Sequence, residues 1–192
     1  MKYKISKLSN RIIASIVDGG FFVLLWFFSI LFYELGYYWQ IFGNAMFLLF
    51  EYLYFVEYVF RNSNTIGKRI EGLKIRSYDS APLSRIQCLV RYLSYAIVSI
   101  LYFFVESTIV LYLDGKDYYN LGLFDKLDYA MNHFPELNDI YTYASLILLL
   151  IHSLFIVLHP ERKSLADYMA GTIVVSDTSI SHETKDKIPA NV

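Results

Sequence analysis

The chain has 192 residues, of which 56% are hydrophobic, 18% aromatic and only 18% charged, with a net charge of −1. A soluble domain of this length needs more polar surface, and a balance so near zero gives no global attraction to nucleic acid or to acidic lipid. The lone Cys88 excludes an internal disulfide.

The apolar residues fall in blocks, and a helical span needs about 20 of them in a row. Lys2, Lys4, Lys7 and Arg11 precede the first block, at about 12–33. It is too long for a signal-peptide core and has no small-residue exit, so it is expected to stay as a span. Asp18 lies inside it, seven residues past Arg11. A charge near the bilayer centre costs at least about 2.5 to 3.5 kcal/mol on insertion scales, so this carboxylate needs a partner or a use. Arg11 and Asp18 share a helix face with Ala14, Ser15 and Gly19. A face that is both small and polar is expected to point into the bundle.

ELGYYWQ, at 34–40, leaves room only for a tight hairpin, with Tyr37, Tyr38 and Trp39 at the level of an outer aromatic belt. The second block, about 41–60, carries Glu51 near its middle. Glu57 stands four residues before Arg61, the spacing of a boundary ion pair. The loop that follows reads NSNTIGKRIEGLKIRSYDSAPLSR; it predicts a short strand over 72–78 and turn chemistry at YDSAP.

The third block, about 86–113, admits Arg91 from its inner end and carries Glu106 toward the outer one. The acidic loop after it, 114–139, is read as a short amphipathic surface helix. A cation site there is the less favoured reading, since EF-hand spacing is missing. In the fourth block, about 140–158, His152 precedes His159 by seven residues, two turns apart and no metal pair. Ser164 is a good N-cap for a helix over 165–170 ended by Gly171, and 172–176 is a β-branched strand. The economical arrangement pairs this strand with the one at 72–78 beneath the bundle, since single strands leave backbone groups open. From Ser179 the tail is polar, with the composition of a disordered segment.

Lysine and arginine cluster before the first span, between the second and third, and after the fourth, whereas Lys116 and Lys126 stand alone among carboxylates on the other side. Both termini and the middle loop are therefore expected in the cytoplasm. The expected fold is an all-α membrane protein: a four-transmembrane-helix bundle with a small cytoplasmic β element. The membrane domain covers 1–178 and a polar tail covers 179–192, multi-pass in the cell membrane.

Arg11 with Asp18 in the first span, TIGKRIEGLKI in the middle loop and RKSLADYMAGTIVV near the end together resemble the RDD family of small membrane proteins. That family is named for one arginine and two aspartates, which match Arg11, Asp18 and Asp167 here. The resemblance covers about 8–175, leaving out the acidic outer loop. It implies transport, including cation/proton exchange, for some members and no assigned activity for most.

The candidate polar core is Arg11, Asp18, Glu51, Glu57, Arg91, His152 and Asp167. For Asp18 and Asp167, structural pairing and a functional role are weighed equally. Asp167 follows Ser164 by three residues and suits a helix N-terminus. The basic partner expected for Asp18 is Arg91, with Arg11 or His152 as alternatives. Arg91 itself is read first as snorkelling or as an anchor for a carboxylate, and His152 as a hydrogen-bonded residue of the bundle. No nucleophile elbow, metalloprotease motif or phosphate loop is present, so no catalytic residue, metal site or cofactor is expected. Two functions follow. One is a small transporter or exchanger of protons and monovalent cations. The other is a non-transporting scaffold or accessory subunit that docks a partner through its cytoplasmic face. A homo-oligomer or a membrane partner protein fits either, and the resemblance tips the balance to transport.

Overall fold

The computed structural model describes residues 4–79, 81–112, 118 and 120–176. Helix α1 (Leu8–Leu31) buries Arg11, Ala14, Asp18, Ser29 and Ile30 and turns Ile12, Ile13, Ile16, Leu24, Phe27 and Phe28 outward. The small polar face points inward, as its composition demands. A single 3₁₀ turn (Phe32–Leu35) and Gly36, at φ 111° where a side chain is strained, reverse the chain. Helix α2 (Tyr37–Tyr52) then passes without a break into a π-helical stretch (Leu53–Tyr58) and α3 (Val59–Asn62).

This helical run lies antiparallel to α1 along its length. At the far end Gly43 comes so close that a Cβ there would stand 2.9 Å from the Ser29 carbonyl oxygen. Phe22 stacks on Phe55 with centroids 5.0 Å apart, and at the near end Tyr54 reaches Asp18. The chain then makes α4 (Ile66–Ile70), β1 (Leu73–Ser77) and α5 (Arg85–Tyr112). After it come α6 (Leu123–His133), α7 (Pro135–Leu158), α8 (Leu165–Met169) and β2 (Thr172–Ser176). Helix α6 is the helix expected in the acidic loop; Asp114 and Asp117 lie outside the described residues, as does 177–192 with the predicted tail.

Among the described residues, three helical segments are long and apolar enough to cross a membrane: Leu8–Leu35, Arg85–Tyr112 and Pro135–Leu158. The segment expected as the second span changes from α to π geometry at Leu53, so it is not one long α-helix. The chain is mostly helical, and apolar side chains cover the outside of its long helices. Along α7 no residue is buried, and Leu146, Ile147, Leu149, Leu150, Leu154 and Val157 all face outward. Hydrocarbon is the solvent that such a surface suits, because a helix satisfies its own backbone there.

At one end β1 and β2 pair antiparallel, with Leu73 opposite Ser176 and Ile75 opposite Val174. This is the pairing expected from the sequence. Residues before α1 join it: Ile5 bridges Val175, and the Ser176 amide donates to the Lys4 carbonyl at 3.0 Å. The N-terminal segment, the middle loop and the last strand thus meet at a single end of the bundle. The main core sits there too, where Ala14, Val56, Val59, Cys88, Tyr92 and Ala96 pack on Leu73, Ile75 and Val174. Opposed residues of an antiparallel pair have Cα atoms about 4.5–5.5 Å apart. The double variant Leu73→Cys, Ser176→Cys should therefore crosslink under mild oxidation, with the buried Cys88 standing aside. Failure of that pair to close, beside a control pair that does, would contradict this register.

Candidate functional site

Two buried carboxylates organise the sheet end, and each is built from parts remote in sequence. Asp18, 6% exposed, is one. It accepts hydrogen bonds from the Tyr54 hydroxyl at 2.5 Å, the Thr65 hydroxyl at 2.6 Å and the Gly67 amide at 2.8 Å. Thr65 is also the N-cap of α4, its Oγ1 accepting from the Lys68 amide. The Ile66 amide donates to the Tyr54 hydroxyl at 2.9 Å. The carboxylate thus takes up one open N–H at the start of α4, that of Gly67, while the Tyr54 and Thr65 hydroxyls bonded to it take those of Ile66 and Lys68. Gly67 is required because a Cβ there would lie 2.1 Å from the Ala14 carbonyl oxygen.

Arg91 is therefore not the partner of Asp18, and neither is Arg11 or His152. The nearest cation is Lys68, whose Nζ stands 3.8 Å from Asp18 Oδ2. Burial pushes the Lys68 ammonium down to about 8 against the pull of Asp18. The loop carrying α4 tucks beside α1 and sets Thr65, Gly67 and Lys68 around Asp18, while Arg91 turns to Asp167.

Asp167, 1% exposed, is the second centre. Arg11 Nη2 donates to its Oδ2 at 2.8 Å, and Arg91 Nη1 forms a short ion pair with Oδ1. Ser164 completes a capping box, its amide donating to Oδ2 at 3.0 Å while its Oγ accepts from the Asp167 amide. Arg91 Nη1 also donates to the Thr172 hydroxyl at 2.5 Å. Burial alone would raise the Asp167 carboxyl, but the facing Arg91 and Arg11 guanidiniums outweigh it and hold it well below the usual carboxylate range. Arg91 is an anchor for a carboxylate, as read, and Asp167 does suit a helix N-terminus.

Between the two centres lies a cavity of about 220 Å³. Asp18, Lys68 and Arg91 reach it with Ser15 and Thr65, against walls formed by Phe22, Phe55, Tyr92 and Tyr95.

The other candidates stand apart. Glu51, 8% exposed, accepts from the Ser99 hydroxyl at 2.9 Å through Oε1, while its buried Oε2 has no partner among the described residues. Glu57 turns to Arg85 at 3.1 Å rather than to the exposed Arg61, because Arg85 begins the neighbouring helix α5. His152 stacks on Tyr95 at 4.8 Å and bonds the Leu148 carbonyl through Nδ1, leaving a buried Nε2 unpartnered among the described residues. No group of three metal-ligating side chains occurs among the described residues.

A further polar cluster lies at the opposite end. Glu106 accepts from Tyr33 and Gln40, each at 3.3 Å; the Tyr33 hydroxyl also lies 3.3 Å from Asn44 Oδ1, and Tyr118 donates to Gln40. Gln40, Asn44 and Glu51 form one buried stripe on α2, with Asn44 Nδ2, like Glu51 Oε2, unpartnered among the described residues. The reading by candidate charges passed over Gln40 and Asn44, although polar residues four apart inside an apolar block are a visible signal.

No curated protein and no solved structure matches the chain. The RDD family matches it over residues 5–171, which takes in Arg11, Asp18, the TIGK turn and Asp167. With those residues assembled into the two carboxylate centres and three apolar helices able to span a membrane, the chain belongs to the RDD family and is a membrane protein.

Proposed function

We propose that the chain crosses the cell membrane four times, with the sheet end in the cytoplasm, and works as a small proton-coupled exchanger of monovalent cations centred on Glu51. The observation that carries this reading is the buried Glu51 carboxylate with one oxygen bonded to Ser99 and the other unpartnered among the described residues. Intramembrane carboxylates are expensive, and one left half-satisfied is a functional site by default. Such a group is neutralised either by a proton or by a cation against it, and the two occupants exclude each other. The stripe from Gln40 through Asn44 to Glu51 supports an approach from the end where Glu106 lies.

The four-span arrangement is supported by the length over which the α2–α3 run accompanies α1. Reporters fused after Val192 or within 63–84 should report cytoplasm, and one near Asn120 the exterior. Opposite sides for the first two would overturn the arrangement.

Glu51→Gln keeps an oxygen for Ser99 and removes the charge. In vesicles carrying a pH gradient, the wild type should exchange protons for sodium, lithium or potassium, and the variant should lose that flux at an unchanged melting temperature. A specific observation favours the other reading: Asp18 and Asp167 are both saturated by internal donors, as bundle locks would be. If the folded wild type moves none of these ions, the exchanger reading falls and a scaffold that docks a membrane partner takes its place.

A further inference from the structure

The cavity at the sheet end has more positive than negative charge around it. Its charged lining is Asp18 from α1, Lys68 from α4 and Arg91 from α5, one carboxylate against two cations. Behind Arg91, Asp167 is shared with Arg11, so these five groups, four of them buried and Lys68 partly so, together carry three positive charges and two negative. The surplus shows as unused donors. Arg11 Nη1 is buried with no partner among the described residues. Among the described residues, Lys68 Nζ has a long bond to Thr65 at 3.4 Å and Asp18 at 3.8 Å. Burial is the main cause that lowers its ammonium to about 8, and the neighbouring Arg91 guanidinium adds to it against the pull of Asp18. A buried charge surplus is expensive to keep unpaired.

Size and walls narrow what could supply the missing charge. A cavity of about 150 Å³ admits benzene, so about 220 Å³ holds a ring-sized apolar body with a head group attached. The walls are mixed in the same sense. Phe22, Phe55, Val59 and Ile75 offer apolar and aromatic surface, while the Ser15 and Thr65 hydroxyls stand beside the cations.

We propose that this cavity binds a small organic monoanion, a carboxylate with a compact apolar or aromatic body, its head toward Lys68 and Arg91 and its body against Phe22 and Phe55. The site is separate from Glu51 and does not rest on the exchanger reading. A bare inorganic anion would leave the aromatic walls unused, and a cation would add to the surplus.

The test uses the full chain in lipid nanodiscs and fluorine NMR. The probes are 4-fluorobenzoate, 4-fluorobenzyl alcohol and 4-fluorobenzylamine, three bodies of one shape with different charge, each measured against empty nanodiscs. The expected result is saturable binding of the benzoate, weaker by roughly tenfold or more for the alcohol, as loss of a charge-assisted hydrogen bond implies, and none for the amine. Lys68→Gln should weaken the benzoate by a similar factor. Gly19 lines the cavity, and a Cβ added there meets nothing within 4 Å, so Gly19→Leu should fill the space without moving the backbone and abolish binding. Absence of saturable benzoate binding to the folded wild type would overturn the proposal. So would amine binding as tight as the acid, or undiminished binding in folded Gly19→Leu. Because the three probes are compared on the wild type, the preference for an anion is decided even where a variant fails to fold.

Discussion

Asp167→Ala is expected to cost the protein about 3–5 kcal/mol or more of stability, the range seen when one member of a buried charge pair is removed. Here two guanidiniums, Arg11 and Arg91, would lose their carboxylate at once, and both are more than nine-tenths buried. Helix α8 would also lose the half of its capping box in which Asp167 Oδ2 accepts from the Ser164 amide, while the N-cap bond to Ser164 Oγ remains. Together these approach the whole stability of a typical domain, about 5–15 kcal/mol. Replacing all three charges with apolar residues of similar size, Arg11→Met, Arg91→Met and Asp167→Leu, should restore much of the loss, since a buried ion cluster is often no better than good apolar packing. Unfolding in detergent measures both. Asp167→Ala within about 1 kcal/mol of wild type would show that the cluster does not hold this end together.

The same centre sets the response to acid. The Asp167 carboxyl lies lower in the folded protein than its ordinary value of 3.8. A depressed carboxylate binds fewer protons when folded than when unfolded. Its contribution is therefore complete above that ordinary value and is lost as pH falls toward the folded one. Acid unfolding of the wild type should steepen below about pH 4, and Asp167→Asn should remove that part of the slope.

Gly67→Ala is the second large effect. The new Cβ would stand 2.1 Å from the Ala14 carbonyl oxygen and 2.9 Å from Asp18 Oδ1. The first obstacle is helix backbone, which has no rotamer to change. Helix α4 must then lift off α1, and the bonds from Thr65 and Gly67 to Asp18 go with it. Overpacking alone costs about 1–3 kcal/mol and each lost bond to a charged group about 1.5–3. A loss of at least about 3 kcal/mol is expected, which is large for one methyl group. Gly19→Ala is the control: its Cβ meets nothing within 4 Å, so the substitution should gain about 0.5–1 kcal/mol from helix propensity. Equal melting temperatures for the two variants would contradict the close approach of α4 to α1.

What the sequence disclosed follows from how local each cause is. Apolar run lengths gave the long helices, because hydrocarbon thickness acts on each run separately. Ser164 and Gly171 bounded α8, and the β-branched run after it paired with 73–77 as expected, because caps and strand propensity act over a few residues. The partner of Asp18 was hidden for the opposite reason. Its spacing from Arg11 marked a shared helix face, but two of its donors come from a loop 47 and 49 residues later in the chain that tucks against α1. Nothing in LYFVEY separates a π-helix from an α-helix, yet that widened stretch carries the Tyr54 hydroxyl to Asp18. Lys4 to Ser6 has no alternation that would mark a strand, and it joins the sheet only because β2 leaves an edge open. Gln40 and Asn44 were legible and were passed over by attending to formal charge alone.

The ion pair between Arg11 and Asp167 joins residues 156 positions apart. At a synthesis rate of about 5–20 residues per second, Arg11 waits on the order of ten to thirty seconds before its carboxylate exists. Arg91 waits about half as long. During that interval helices α1 and α5 carry two guanidiniums without their carboxylate, and Lys4–Ser6 has no strand to pair with. The order of events in biogenesis is then imposed by the chain itself: helices enter first, and the sheet end closes only when α8 and β2 emerge. A nascent chain stalled before Ser164 presents an open, basic end to the quality-control machinery, and one that has passed Ser176 does not.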